Sequence, residues 1–243
     1  MYHVKREVRQ FEDLEELSTS AAADISSLMR ETISSRGKFS LALSGGSTPS
    51  QLYSMLGTLY KNTIDWKCIH IYWGDERYVS HSDPQSNYKM AKEILLDSIP
   101  IPKENVHAIP TGSSNPDADA HSYEEQLRKD FPLTAATFDL VLLGMGKEGH
   151  TASLFPNSPA LGERERWVTA VNVPVTPSTR ITLTLPILNR ASAVYFLVSG
   201  REKSDALSKV FDDDSSSETY PAKAIVPLNG RLIWWVDSAA MGR

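Results

Sequence analysis

Short apolar runs recur along this chain, and glycine follows or closes most of them. Phe39–Leu43 runs into Ser44-Gly45, Cys68–Trp73 into Gly74, and Phe138–Leu143 into Gly144, while Ala193–Gly200 ends on its own glycine. Such runs, nearly continuous rather than alternating, are what strands of a parallel sheet covered on both faces look like. Leu232–Asp237 reads as a final strand, residues 2–9 as a loosely alternating first one, and Val106–Pro110 as a short one. Trp167–Val173 and Thr179–Leu185 are two further strands, the second with one polar face. Between them the period lengthens. Leu14, Leu17, Ala21, Ile25, Leu28 and Met29 recur at helical spacing in a segment from Phe11 to Ser35, which Gly37 stops. Further helices are expected from about Pro49, over Tyr88–Leu96 with Ser86-Asn87 as its cap, over Tyr123–Lys129, and over Glu202–Phe211. Strands alternating with helices define the fold class: α/β, doubly wound, a mostly parallel sheet with helices on both faces, in one domain spanning 1–243.

The chemistry gathers at strand ends, where open α/β sheets hold their ligands. After Phe138–Leu143 come Gly144, Gly146 and Gly149, then His150, Thr151 and Ser153. Glycines at this density let the backbone take positive φ and approach a ligand, which favours a site over a helix-capping histidine. The Ser44-Gly45-Gly46-Ser47-Thr48 loop opens a helix and suits a phosphate, although a simple tight turn explains it equally well. It is neither a Walker loop nor a Gly-x-Gly-x-x-Gly loop. Asp75, Glu76 and Arg77 follow another strand. Lys203, in a first helical turn, opposes the dipole unless it faces an anion.

Composition narrows the partners. The 243 residues are 41% hydrophobic and 23% charged, with net charge −5 and no basic tract, which argues against nucleic acid. No apolar run is long enough for a bilayer, and no signal-peptide pattern opens the chain, so the expected compartment is the cytoplasm. Cys68 alone cannot form an internal disulfide and reads as a buried small hydrophobe. His3, His70, His81, His107 and His121 lack metal-ligand spacing, so no zinc site is expected, and His70 reads as structural. No Gly-x-Ser-x-Gly elbow supports a serine hydrolase built on Ser44, Ser47 or Ser153. Trp234-Trp235 reads as the core side and the surface side of one strand. The oligomeric state is left open.

Ser44–Pro49, Gly74–Arg77, Ser86-Asn87, Leu143–Pro156 and Arg180-Ile-Thr-Leu-Thr184 together resemble the 6-phosphogluconolactonase family, within the wider glucosamine-6-phosphate isomerase/deaminase superfamily. Two positions depart from the usual pattern: Glu148 stands for aspartate, and Asn157 for glycine after Phe-Pro. The resemblance implies hydrolysis of 6-phospho-D-glucono-1,5-lactone to 6-phosphogluconate in the oxidative pentose phosphate pathway, without metal or organic cofactor. Attack of water on an ester carbonyl needs a general base, and a histidine's pKa suits His150 to it. Donors must meet the developing oxyanion, and N–H groups of the Gly144–Gly149 turn are candidates. Residues 44–48 would hold the phosphate, with Arg77, Arg180 and Lys203 neutralising it, and Asp75 and Glu148 would orient His150 or bind sugar hydroxyls. A deaminase/isomerase is the nearest alternative, but that branch places a further acid shortly after the histidine, and Thr151–Pro156 has none. A non-catalytic sugar-phosphate binder would keep the loop and the cations without needing His150.

Overall fold

The chain begins with β1 (Glu7–Phe11) and α1 (Leu14–Arg36), then β2 (Phe39–Leu43), α2 (Ser47–Leu59), β3 (Ile69–Trp73) and the short β4 (Asp75–Arg77). Helices α3 (Asn87–Ile94) and α4 (Pro116–Asp130) precede β5 (Leu140–Gly144). The hairpin of β6 (Val168–Asn172) and β7 (Thr179–Leu183), the single turn α5 (Leu185–Leu188), β8 (Ala193–Val198), α6 (Ser204–Phe211) and β9 (Arg231–Asp237) complete it. This computed structural model describes residues 6–132 and 136–243. His3 and the beginning of the first expected strand lie outside them. Among the described residues, no helix is long and apolar enough to cross a membrane.

Local chemistry sets the helix ends. Asp13 caps α1 by accepting from the Glu16 N–H, and Gly37 ends it at φ 77°. The Ser86 hydroxyl accepts from the Lys89 N–H to start α3. α4 begins earlier than its apolar spacing suggests, because Asn115 caps it and Pro116 takes the first position.

Six strands pair in the order β1-β9-β8-β5-β2-β3, and every pairing is parallel. All six residues of β8 are buried, as the unbroken apolar pattern requires of a strand covered on both faces. β9 lies inside the sheet, so Trp234 and Trp235 are both core residues, at 1% and 2% exposure, rather than one core and one surface. Trp234 stacks on Phe196 at 3.9 Å, and Trp235 packs against Phe11 beneath the Arg9 guanidinium.

Two expected features change. Val106–Pro110 is not a strand, since only Val106 bridges to Ile71. Cys68 is not a core residue either. It sits half-buried in the turn Trp66–Cys68 with Sγ 3.5 Å from Asp65 Oδ2, and burial with that carboxylate raises its thiol pKa.

The chain passes outward from β2 to β3, returns to set β5 on the other side of β2, and then builds outward through β8 and β9. The direction of winding therefore reverses between β2 and β5. These two strands pair only at Leu41–Leu140 and Ala42–Val141. Past that point each pairs with its outer neighbour instead, Leu43 with Trp73 and Gly144 with Leu197. A separate antiparallel sheet, β4-β7-β6, completes the fold. The sequence showed two of its strands but not the sheet, because β4 is three charged residues with no apolar period.

Candidate functional site

A winding reversal leaves a crevice beyond the carboxyl ends of the two diverging strands. A cleft of about 290 Å³ lies there. The β2–α2 loop contributes Ser44, Gly45 and Gly46, and the turn after β5 contributes Gly144, Gly146 and His150. Asp75, Arg77 and Arg180 come from the small sheet, and Lys203 from the turn before α6.

The loop after β2 is fixed from below. Buried Tyr53 donates its hydroxyl hydrogen to the Ser44 carbonyl (2.8 Å) and accepts from the Ser44 N–H (2.9 Å). Ser44 Oγ is itself buried without a hydrogen-bond partner. Gly46, at φ 111°, starts α2 with no side-chain cap among the described residues and no acidic residue in the first turn, so the positive helix end has no counter-charge in its own first turn. Gly45 is required by close packing, since a Cβ there would lie 1.9 Å from Asn87 Oδ1.

Arg77 and Arg180 are directly paired across β4 and β7. Arg180 is 7% exposed, and its Nε–H donates to the Pro177 carbonyl at 2.8 Å. Burial, then the Arg77 charge, pushes its pKa down, against the pull of Asp75 and Glu76. Arg77 donates from Nη1 to the Gln85 carbonyl (2.7 Å), and its Nε is buried without a partner. Glu76, next to Arg77 on β4, acts as a clamp. Its carboxylate accepts from the N–H groups of Arg77 (2.7 Å), Asn87 (2.7 Å) and Tyr88 (2.8 Å) and from Ser86 Oγ (3.0 Å). Burial raises the Glu76 pKa, although all four donors oppose the rise. The clamp ties β4 to the start of α3 and so sets Asn87 in the cleft. Asn87 Nδ2 donates to the Asp75 carbonyl (2.9 Å) and to Asp75 Oδ1 (3.3 Å), while Ser153 Oγ donates to Asp75 Oδ2 (2.6 Å).

The turn after β5 is built around His150. The Gly146 N–H donates to the His150 carbonyl and the Gly149 N–H to the Gly146 carbonyl, both at 2.9 Å. A Cβ on Gly146 would fall 2.1 Å from the imidazole, so only glycine admits the ring. Glu148 Oε2 lies 2.9 Å from His150 Nδ1. That contact assigns the proton of the neutral ring to Nδ1 and the lone pair to Nε2. Burial lowers the His150 pKa and Lys203 adds to the effect, against the opposing pull of Glu148 and Asp75. Burial pushes Glu148 upward, but its own N–H, His150 and Lys147 outweigh this and hold it below the usual range. A neutral imidazole beside an ionised carboxylate is the composition of a general base at neutral pH.

The profile of the glucosamine-6-phosphate isomerase/6-phosphogluconolactonase family matches residues 12–234. The chain belongs to this family. It is 45% identical over 211 residues to the 6-phosphogluconolactonase of Nostoc sp., covering 86% of this chain and 85% of that one. With the Synechocystis sp. 6-phosphogluconolactonase it shares 43% over 219 residues, 89% of each chain. The structure of the Trypanosoma brucei 6-phosphogluconolactonase superposes with TM-score 0.88 at 29% identity, covering 98% of each chain.

Within this family member, ten residues singled out from sequence line one cleft: Ser44, Gly45, Gly46, Asp75, Arg77, Gly144, Gly146, His150, Arg180 and Lys203. Ser47 and Thr48 are not among the lining residues; they are the first two residues of α2. Glu148 reaches the cleft only through His150. The Gly146 and Gly149 N–H groups are occupied within the turn, which removes them as oxyanion donors. Sequence reasoning placed Asn87 in a cap and in the family resemblance but gave no site role to it, to Phe155 or to Val175, all three of which line the cleft. Asn87 carried a signal in its place directly after a capping serine. Val175, on the β6–β7 loop, carried none. No group of three or more His, Cys, Asp or Glu suited to a metal occurs among the described residues; His70 and His107 pair with each other at 3.1 Å.

Proposed function

We propose that this protein, acting as one domain, hydrolyses 6-phospho-D-glucono-1,5-lactone to 6-phosphogluconate in the oxidative pentose phosphate pathway, in the cytoplasm. The observation that carries this reading is the Glu148–His150 pair in the same cleft as the opposed Arg77 and Arg180. The base is neutral where a water must be deprotonated, and among the described residues neither Arg77 nor Arg180 has a carboxylate hydrogen bond that a phosphate would have to displace.

His150 Nε2 takes a proton from the water as its oxygen bonds to the lactone carbonyl carbon. Negative charge then rests on the former carbonyl oxygen and needs preorganised donors. On collapse the carbon–ring-oxygen bond breaks, and the imidazolium returns its proton to that ring oxygen as the alkoxide leaves. Glu148 stabilises the imidazolium in between. The phosphate binds the uncapped start of α2 with Arg77, Arg180 and Lys203. Asp75, held by Ser153 and Asn87, orients sugar hydroxyls.

The test is lactone hydrolysis by wild type and His150→Ala, with lactone generated in situ and compared with its spontaneous decay. Rapid wild-type turnover that chelator does not affect, with the variant at background but still binding 6-phosphogluconate, is the expected result. Wild-type turnover no faster than background would overturn the reading.

A further inference from the structure

His150 has a third restraint besides Glu148 and Gly146. Phe155 stacks face to face on the imidazole, with ring centroids 3.9 Å apart and planes inclined by 14°. Phe155 is 6% exposed and borders the cleft. The backbone folds back to make this contact. Thr151 and Leu154 form an isolated bridge, with the Leu154 N–H donating to the Thr151 carbonyl at 2.9 Å. Ala152 at φ 46° and Asn157 at φ 57° flank the turn, and the Asn157 N–H is anchored on the Glu218 carbonyl at 3.0 Å. Ala152, a non-glycine residue in the left-handed region beside a contact with the proposed base, is the kind of strain that functional sites retain.

The three restraints act on different motions. Glu148 fixes Nδ1 but leaves the ring free to swing about the Nδ1–Oε2 line. The Gly146 backbone stops the Nδ1/Cε1 edge. Only a flat surface against the ring face prevents the swing, and the same surface excludes water from that face.

We propose that Phe155 is a positioning residue for His150, holding the imidazole plane so that Nε2 addresses the substrate, and keeping one face of the ring dry. The inference rests on the hydrolytic reading of the site. It adds that an apolar side chain of similar size cannot replace the ring. Burial is the largest influence lowering the His150 pKa, in keeping with a ring shielded on its face.

The test compares Phe155→Leu, Phe155→Met and Phe155→Tyr, each checked for native circular dichroism. The His150 Cε1–H is titrated by NMR in the free protein, and kcat and KM are measured against pH. In the Leu and Met variants the His150 titration is expected to rise toward about 6.5, with the acid limb of kcat/KM moving the same way. Their kcat should fall about tenfold or more, with KM unchanged because the phosphate contacts are intact. Tyr, which keeps the ring, should restore both readouts. Leu and Met variants with wild-type titration and kcat would overturn the proposal, and so would a Tyr variant as impaired as they are. A wild type without lactone hydrolysis would instead overturn the proposed function, and the titration would still decide whether Phe155 controls the His150 environment.

Discussion

Arg77 and Arg180 stand directly opposite one another across an antiparallel pair, and each guanidinium donates to a backbone carbonyl rather than to a carboxylate. Like charges so placed destabilise a sheet by up to about 1 kcal/mol. An anion between them would reverse that sign. Inorganic phosphate is therefore expected to raise the wild-type melting temperature, and Arg180→Met to lose most of the rise. The same variant should raise KM for the lactone roughly ten- to hundredfold, the loss of one charged hydrogen bond, with kcat largely retained. Thermal shift and steady-state kinetics check both, and an unchanged KM would remove Arg180 from the phosphate site.

Gly45 and Asn87 are coupled by contact. Gly45→Ala must displace the Asn87 amide, which lies 1.9 Å from the new Cβ, so a stability loss of about 1–3 kcal/mol is expected. Asn87→Ala makes room for that Cβ but leaves Asp75 held by Ser153 alone of the two. In a double-mutant cycle the double variant should be more stable than the sum of the single effects by at least about 0.5 kcal/mol. Its activity should stay as low as that of Asn87→Ala. Additive stabilities, measured by denaturant unfolding, would contradict the contact.

Glu148→Gln tests the base from the other side. The carboxylate raises the His150 pKa while burial lowers it. Removing the negative charge leaves burial unopposed at that edge, so the acid limb of kcat/KM should move to lower pH. This is the opposite direction from the Phe155→Leu expectation. The value of kcat should fall about tenfold or more as the imidazolium loses the negative charge that stabilises it. A limb that moves upward would show that Glu148 does not hold the imidazolium.

Ala152 is held at φ 46° beside the cleft. The left-handed region costs a non-glycine residue about 1–2 kcal/mol, and glycine's extra chain entropy offsets about 0.5–1 kcal/mol of that. Ala152→Gly should accordingly gain up to about 1 kcal/mol in unfolding free energy while lowering kcat, because the turn that brings Phe155 onto His150 loosens. Calorimetry and kinetics on the same sample check both. A gain in stability with undiminished kcat would show that the strain has no part in turnover.

The sheet was legible because burial on both faces leaves a simple mark, an apolar run, and five of its six strands carried it, four of them stopped by glycine. β1 is the exception; it is an edge strand with exposed positions, and only part of its expected span is described. The site was legible where chemistry coincides with a strand end, as at Ser44, Gly144 and His150. What could not be read depends on tertiary packing. The sheet containing β4 exists because β7 pairs with it, so nothing local marked Asp75 and Arg77 as strand residues. Phe155 looks like an ordinary core aromatic in the sequence; its stack on His150 requires the backbone reversal at Ala152. Asn157 in place of the usual glycine is resolved by its φ of 57°, a conformation that asparagine tolerates.

The early end of the β2–β5 ladder has a consequence for engineering. The hollow between those strands is produced by chain routing, before any polar side chain is chosen to line it. Catalysis and capture are thus separable layers of this architecture. On the proposed function, a chain stripped of His150 but keeping its routing and its paired arginines would be a reagentless receptor, in which a fluorophore at Val175, an exposed residue at the rim, reports occupancy by phosphorylated sugars.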